Sequence, residues 1–594
     1  MKKLSIFTYL ILGLILSACG SSETQAPQEN TNPEITEEVP PPIRAISFLA
    51  QGEAEEATQD LYVLLLDQSD NLLKVNNDLG PYNQVNYHSW SPDGTRLYYL
   101  SDDEIADINE LKVYDPLQDQ VIKMHPDLED WQNIENTSWS PDGSKIAYLL
   151  DLEINGVKEL YLADSRTGNI EKINPDLSYG REVDSYKWSE DGKKIAYLAN
   201  PNNTNIKELY YYDLTNGTLH QVNPDFSGVI GNLKSVFSYY WSPDGKKIAY
   251  TADQDTENVI ELYVYNLENQ EIQKINQNLE GGKTIYNFLW SPDSKNLAYV
   301  ADQDYAGVQE LFLHQEGSST AIKINPDFEE DSGKDIYNNL KWSEDSQNLF
   351  YNGDQDTEGL TETYFFNLTS DTFYKLEVGI NSFYFSNNGK SIVYIYQADP
   401  MLSSDLYLLD LSSNQKTKIN PDMVDPSNNV INFYLLPKDT SKIAYLADQD
   451  TNGFNELYLW NASDQSVTKI SELPGPIPNR VYFAKWSYDG KKIAFSADPD
   501  EGDGINKGQL YVFDVDSQEV RRINQGLTET QTLNSDHYWW SPDNQELLYY
   551  INDSVDGTYY ALIHDFDGEL LNLNLFFQEK INLIGVSFSP FYQD

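Results

Sequence analysis

Residues 241–250 read "WSPDGKKIAY". The phrase returns along the chain as "WSPDGTRLYY" from Trp90, "WSPDGSKIAY" from Trp139, "WSEDGKKIAY" from Trp188 and "WSPDSKNLAY" from Trp290. It continues as "WSEDSQNLFY" from Trp342, "WSYDGKKIAF" from Trp486 and "WSPDNQELLY" from Trp540. Two weaker copies, "FSNNGKSIVY" from Phe385 and "LPKDTSKIAY" from Leu436, fill the interval between. Successive starts lie 43 to 54 residues apart. A period near fifty, centred on a turn, marks a chain built from one repeated unit.

One unit, residues 285–327, shows what repeats. Tyr286 to Trp290 is a short aromatic run. Ser291-Pro292-Asp293-Ser294 is a turn, because Pro suits its second position and Asp bonds its own backbone. Strands are expected at Asn296 to Ala301, Glu310 to His314 and Ala321 to Ile324. Asn325-Pro326-Asp327 ends the unit, since Pro cannot donate to a ladder. The unit is therefore a meander of strands a, b, c and d, and no helix-period stretch interrupts the series. Four strands at this period predict an all-β chain of four-stranded antiparallel β-propeller blades. The Trp-Ser-Pro-Asp-Gly turn followed by Lys-Ile-Ala-Tyr resembles the WD-like repeat of TolB-type β-propellers, over nearly all of residues 44–594.

The ends carry a further expectation. "AISFLA" (45–50), "DLYVLLL" (60–66) and "LLKVN" (72–76) supply b, c and d without a, and "NLIGVSFSP" (582–590) supplies an a alone. The fragments together complete one blade, which hides the sheet edges. Ten full repeats and the shared one make eleven blades, as one large ring or two rings, with disruption expected at the weak copies.

Residues 1–18, "MKKLSIFTYLILGLILSA", pair two lysines with an apolar run too short to span a bilayer, and read as a signal peptide. Leu16-Ser17-Ala18-Cys19 resembles the lipobox of bacterial lipoproteins, which implies cleavage before Cys19 and lipidation there. Cys19 is the one cysteine. Residues 20–43 are acidic and Pro-rich and form a tether that cannot bury a core. The expected location is outside the cytoplasm, on a bacterial membrane.

Lys plus Arg number 40 against 94 Asp plus Glu, a net charge of −54. Such a surface repels nucleic acid and suits cations or basic proteins. The acid concentrates in the b–c loops, such as "DQDTENVIE" (253–261), "DQDTEGLTE" (354–362), "DQDTNGFNE" (448–456) and "DLEINGVKE" (151–159). Oxygen side chains recur at loop positions 1, 3, 5 and 9, often with Gly at 6. The candidate calcium ligands are Asp448, Asp450, Asn452 and Glu456; Asp354, Asp356, Glu358 and Glu362; Asp253, Asp255, Glu257 and Glu261; and Asp151, Glu153, Asn155 and Glu159. This spacing resembles the calcium loops of integrin α-chain propellers, and alternate oxygens can converge on one hard cation. The bland alternative is a set of hydrated hairpin loops.

The sequence contains no G-x-S-x-G elbow, H-E-x-x-H pair or Gly-rich phosphate loop. Similar propellers precede the hydrolase domain of prolyl-oligopeptidase-type peptidases, but Asp594 follows the last expected strand directly. The expectation is a membrane-anchored scaffold of the cell envelope with a protein partner, not an enzyme. The alternative is an enzyme acting on carbohydrate or peptide through carboxylates in the propeller channel.

Overall fold

The fold is described from a computed structural model over residues 43–590, less 53–57, 67–70, 78, 81–82, 203–205, 227–233, 278, 280–281, 331, 377–379, 387–388, 398–401, 437–438, 474–479, 499–507, 526, 529, 556–558, 567–569 and 578–580. The signal segment, Cys19 and all but the last residue of the tether lie outside the described residues.

Eleven four-stranded antiparallel sheets follow one another along the chain. Blades 2 to 11 occupy 85–123, 134–172, 183–221, 236–274, 285–323, 341–375, 380–418, 430–469, 480–522 and 531–572. In blade 6 the strands are Ile285–Trp290, Asn296–Ala301, Glu310–Gln315 and Ile322–Lys323, within two residues of the sequence reading. Blade 1 is the shared one. Ala45–Gly52, Gln59–Leu65 and Leu72–Lys74 form three of its strands, and Ile581–Phe588 pairs with the first of them. Among the described residues the only helical element is a 3-10 turn, Leu573–Phe576. No helix there is long and apolar enough to cross a membrane.

One ring or two is settled by the core. The buried apolar residues fall into eleven clusters, and each draws on two neighbouring blades. Ten would suffice for an open row of eleven sheets. The eleventh joins Leu548, Ala561 and Ile563 of blade 11 to Ile46, Phe48 and Leu583 of blade 1. The result is a single closed β-propeller of eleven blades.

Strands b and c are buried on both faces and carry the repeat's Tyr pairs, stacked across the ladder as in Tyr250–Tyr263 at 5.5 Å and Tyr445–Tyr458 at 5.3 Å. The motif Trp has another task. In six blades its indole Nε1 donates to the inner strand of the preceding blade, as from Trp241 to the Lys187 carbonyl at 3.0 Å and from Trp486 to the Tyr434 carbonyl at 3.0 Å, whereas in Trp90 and Trp290 it has no partner. Contacts between successive a strands place strand a at the ring's centre. In the motif turn the Ser hydroxyl donates to the Asp carboxylate, as from Ser242 to Asp244 at 2.6 Å. The next position is left-handed, and Gly245 fills it with φ of 65°. Where Ser294 or Ser346 replaces Gly, its hydroxyl accepts from the turn of the preceding blade (Asp244 N–H, 2.9 Å; Asp293 N–H, 3.0 Å).

The weak copies do not disrupt the ring. Blades 8 and 9 keep all four strands, and the irregular blade is 7, whose inner strand is only Lys341–Trp342. Before it, Ile336 makes an isolated bridge to Gly353, where a Cβ would meet the Asp335 carbonyl at 2.7 Å. The chain crosses there at a distance only Gly permits.

Candidate functional site

The sequence loops prove to be ordered from within. Position 1 is a backbone staple. One oxygen of Asp253 accepts from Ser235 N–H at 2.6 Å in the d–a connection, and the other from Asn258 N–H at 3.3 Å. Asp354 holds Asp335 N–H (2.5 Å) and Gly359 N–H (2.8 Å) in the same way. Asp448 holds Asn429 and Gly453, and Asp151 holds Asn133 and Gly156. These bonds put the b–c loops and d–a connections on one face of the ring.

Positions 3 and 9 share a lysine that the loop reading missed. Lys375, at the end of strand d, lies 2.7 Å from both Asp356 and Glu362. Lys469 joins Asp450 to Glu456, Lys274 joins Asp255 to Glu261, and Lys172 joins Glu153 to Glu159. Lys323 does the same for Asp304 and Glu310. The position-9 glutamates are almost fully buried. Where the residue two further on is Tyr they also accept from its hydroxyl, as Glu261 does from Tyr263 at 2.9 Å and Glu456 from Tyr458 at 2.8 Å; in blade 6 that residue is Phe312, and one oxygen of Glu310 has no partner. Burial raises the pKa of Glu310 despite Lys323, and in blade 2 it pushes Glu110 up to about 7. Position 5 (Asn155, Glu257, Glu358 and Asn452) is exposed at the loop tips.

This arrangement does not fit a calcium ion. Position 1 spends both oxygens on backbone N–H groups, position 5 sits out at the tip, and the ammonium lies between positions 3 and 9. Among the described residues no three carboxylate or imidazole groups converge on a metal position. The lysine was legible: it follows the position-9 glutamate by thirteen residues in all five of these loops. In blade 4 the same spacing delivers Gln221, whose amide donates to Glu208 at 3.1 Å.

The inner wall is different. Its strands carry exposed Tyr87, Phe237, Tyr240, Tyr286, Tyr384, Phe483 and Trp539. A cavity of about 580 Å³ opens along blades 8 to 11 against Tyr384, Tyr434, Lys485, Trp486 and Trp539. Of the wall's carboxylates, Glu135 and Asp184 are each paired at 2.7 Å, with Lys158 and Lys207, and Asp536 bonds His537 Nδ1 at 2.5 Å. Glu546, which burial lifts to about 7, lies at the seam of blades 11 and 1, bonded to Arg44.

No protein-family profile matches the chain, and no curated protein does. Solved structures do share its fold. Dipeptidyl peptidase 4 of Porphyromonas gingivalis is 12% identical over 70% of this chain and 64% of its own length, with a TM-score of 0.36. TolB of Acinetobacter baumannii is 16% identical over 56% of this chain and 77% of its own, with a TM-score of 0.24. Oligogalacturonate lyase of Vibrio parahaemolyticus is 13% identical over 64% of this chain and 98% of its own, with a TM-score of 0.27. The alignment thus spans just under two thirds of the dipeptidyl peptidase. At this identity the likeness is one of fold alone. It still corrects the expectation that the chain is not an enzyme: proteins with propellers of this kind include a peptidase and a lyase. A propeller lacking the motifs sought above is no ground for excluding catalysis.

Proposed function

We propose that the protein is a binding scaffold of a bacterial cell envelope, held to a membrane by lipid on Cys19, whose loop face receives a basic protein partner. The observation that carries this is the composition of that face. Ile154, Tyr179, Tyr305, Leu360 and Val424 stand exposed on b–c loops and d–a connections, among the carboxylates of the same loops. Apolar tips in an acidic surround supply anchors for a partner whose own charges are positive. The staples of position 1 hold these tips in place before binding, which limits the ordering cost.

The test is crosslinking in intact envelopes with the wild-type chain and with a Tyr179→Ala/Tyr305→Ala variant. One basic protein captured by the first and lost from the second supports the reading. Equal capture by both, or capture of nothing specific, overturns it. Cys19→Ala is expected to move the protein from the membrane to the soluble fraction.

A further inference from the structure

One tier of the inner wall stands out. The residue just before the motif Trp is lysine in blade 4 (Lys187), blade 7 (Lys341) and blade 10 (Lys485), three blades apart each time. The same position in the following blade is aromatic in all three cases: Tyr240, Tyr384 and Trp539. Each ammonium sits over that neighbour's ring, at 3.5 Å for Tyr240 and 5.0 Å for both Tyr384 and Trp539. The rings remain open to the channel, with exposures of 50%, 52% and 40%. Among the described residues no carboxylate lies within ion-pair distance of these three lysines, in a chain with 94 acids. Burial lowers their pKa, opposed only by Glu344 near Lys341 and Asp536 near Lys485.

We infer that this tier is a binding site for an anionic polysaccharide, a polymer of pyranose rings bearing carboxylates. A pyranose lays its C–H face on an aromatic ring, and the adjacent ammonium meets its carboxylate; an ammonium held by a ring and one backbone carbonyl keeps a donor free. Lys187 does so, with one bond to the Tyr239 carbonyl at 2.9 Å, whereas Lys485 donates to two carbonyls, Tyr538 at 2.8 Å and Asp536 at 3.0 Å, and offers a ligand its charge. Blades about 10 Å apart put successive pairs roughly 30 Å apart along the wall. A small molecule cannot reach two such pairs, and a polymer can.

Two observations favour sugar over peptide and place it at this end. A peptide entering as an added strand needs free edge groups, yet inner-edge carbonyls are already taken by Trp241, Trp486 and Trp540 Nε1. The tier also adjoins the a–b turns, which carry Lys193, Lys246 and Lys491, at the opposite end of the strands from the acidic loops. A Debye length of about 10 Å at 0.1 M salt screens the loops' repulsion across that distance.

The test is calorimetric titration of the full chain with alginate oligosaccharides, with dextran as the neutral arm and polyglutamate as the peptide arm. Alginate is expected to bind, dextran at least tenfold more weakly and polyglutamate not at all. The Lys187→Gln/Lys341→Gln/Lys485→Gln variant should weaken alginate at least tenfold at an unchanged melting temperature, and Tyr384→Ala should do so too. Should the triple variant fail to fold, single Lys341→Gln and quenching of tryptophan emission by alginate carry the test. No alginate binding, equal binding of polyglutamate, or binding indifferent to these variants would overturn the site. The loop-face variants should leave alginate binding untouched, so the scaffold reading and this one fail separately.

Discussion

The loop belt and the inner wall use the same two chemical types, ammonium and aromatic ring, to opposite ends. In the belt every bridging lysine lies between two carboxylates, and in four of the five bridges a Tyr hydroxyl donates to one of them. On the wall the lysine lies on a ring and no described carboxylate pairs with it. The acids paired inside a loop are therefore structural; what that face presents outward is its exposed tips, Tyr305 and Leu360 among them, whereas the wall presents lysines and rings. Where charge is abundant, its internal pairing decides whether any remains to act.

That contrast can be broken in graded steps. Glu456→Ala leaves the buried Tyr458 hydroxyl without its acceptor and Lys469 with Asp450 alone, and should cost about 3 kcal/mol. Hydrogen exchange in blade 9 reads this locally, without assuming that eleven blades melt together. Asp448→Ala orphans two backbone N–H groups and should cost about 2 kcal/mol by the same readout, Asp448→Asn about half of that.

Glu110 sharpens the picture through pH. Burial holds its folded pKa near 7 against an ordinary 4.5. Its contribution is thus fully present below 4.5 and is lost as pH rises through 7. Asp103 beside it is shifted down, so its own loss comes only in more acid solution. Glu110→Gln should stabilise blade 2 by about 1 kcal/mol at pH 8 and by nothing near pH 4.5. A gain that is the same at both pH values would contradict the assignment. On the wall, Lys341→Gln should move stability by less than about 0.5 kcal/mol, since the side chain is exposed. Smallest of all, millimolar calcium should leave the melting temperature where it is. A site with a dissociation constant of about 10⁻⁴ M would add roughly 1.4 kcal/mol at 1 mM.

The fold was legible because its signal is repeated and local. A turn that needs Ser, Asp and a left-handed residue, set between two apolar runs, recurs often enough to outvote the weak copies at Phe385 and Leu436. Closure was legible too, since the strand missing at residue 45 reappears at 582. The belt was read wrongly from the same letters. Glu456 and Asp450 belong to one loop, but Lys469 arrives from another strand, and inspecting the loop alone leaves that partner out. Blade 7 was missed because its irregularity comes from Gly353, a residue outside the motif. Lys187, Lys341 and Lys485 were in plain view before Trp188, Trp342 and Trp486. Their significance depends on which side chain the next blade supplies, which a linear reading does not ask.

The shared blade sets the order of assembly. Ile46 pairs with Phe588, and Ala45 N–H donates to Ser589 Oγ at 3.1 Å, so the first strand made waits for the last. Until residues 581–588 arrive, the chain is an open arc with an unpartnered inner edge on blade 1, ready to join a second copy of itself. Once they dock, the two ends of the fold lie side by side. The gap between them stands where every other blade has its a–b turn, and a new start cut between two other blades, with the old ends joined, should give the same ring.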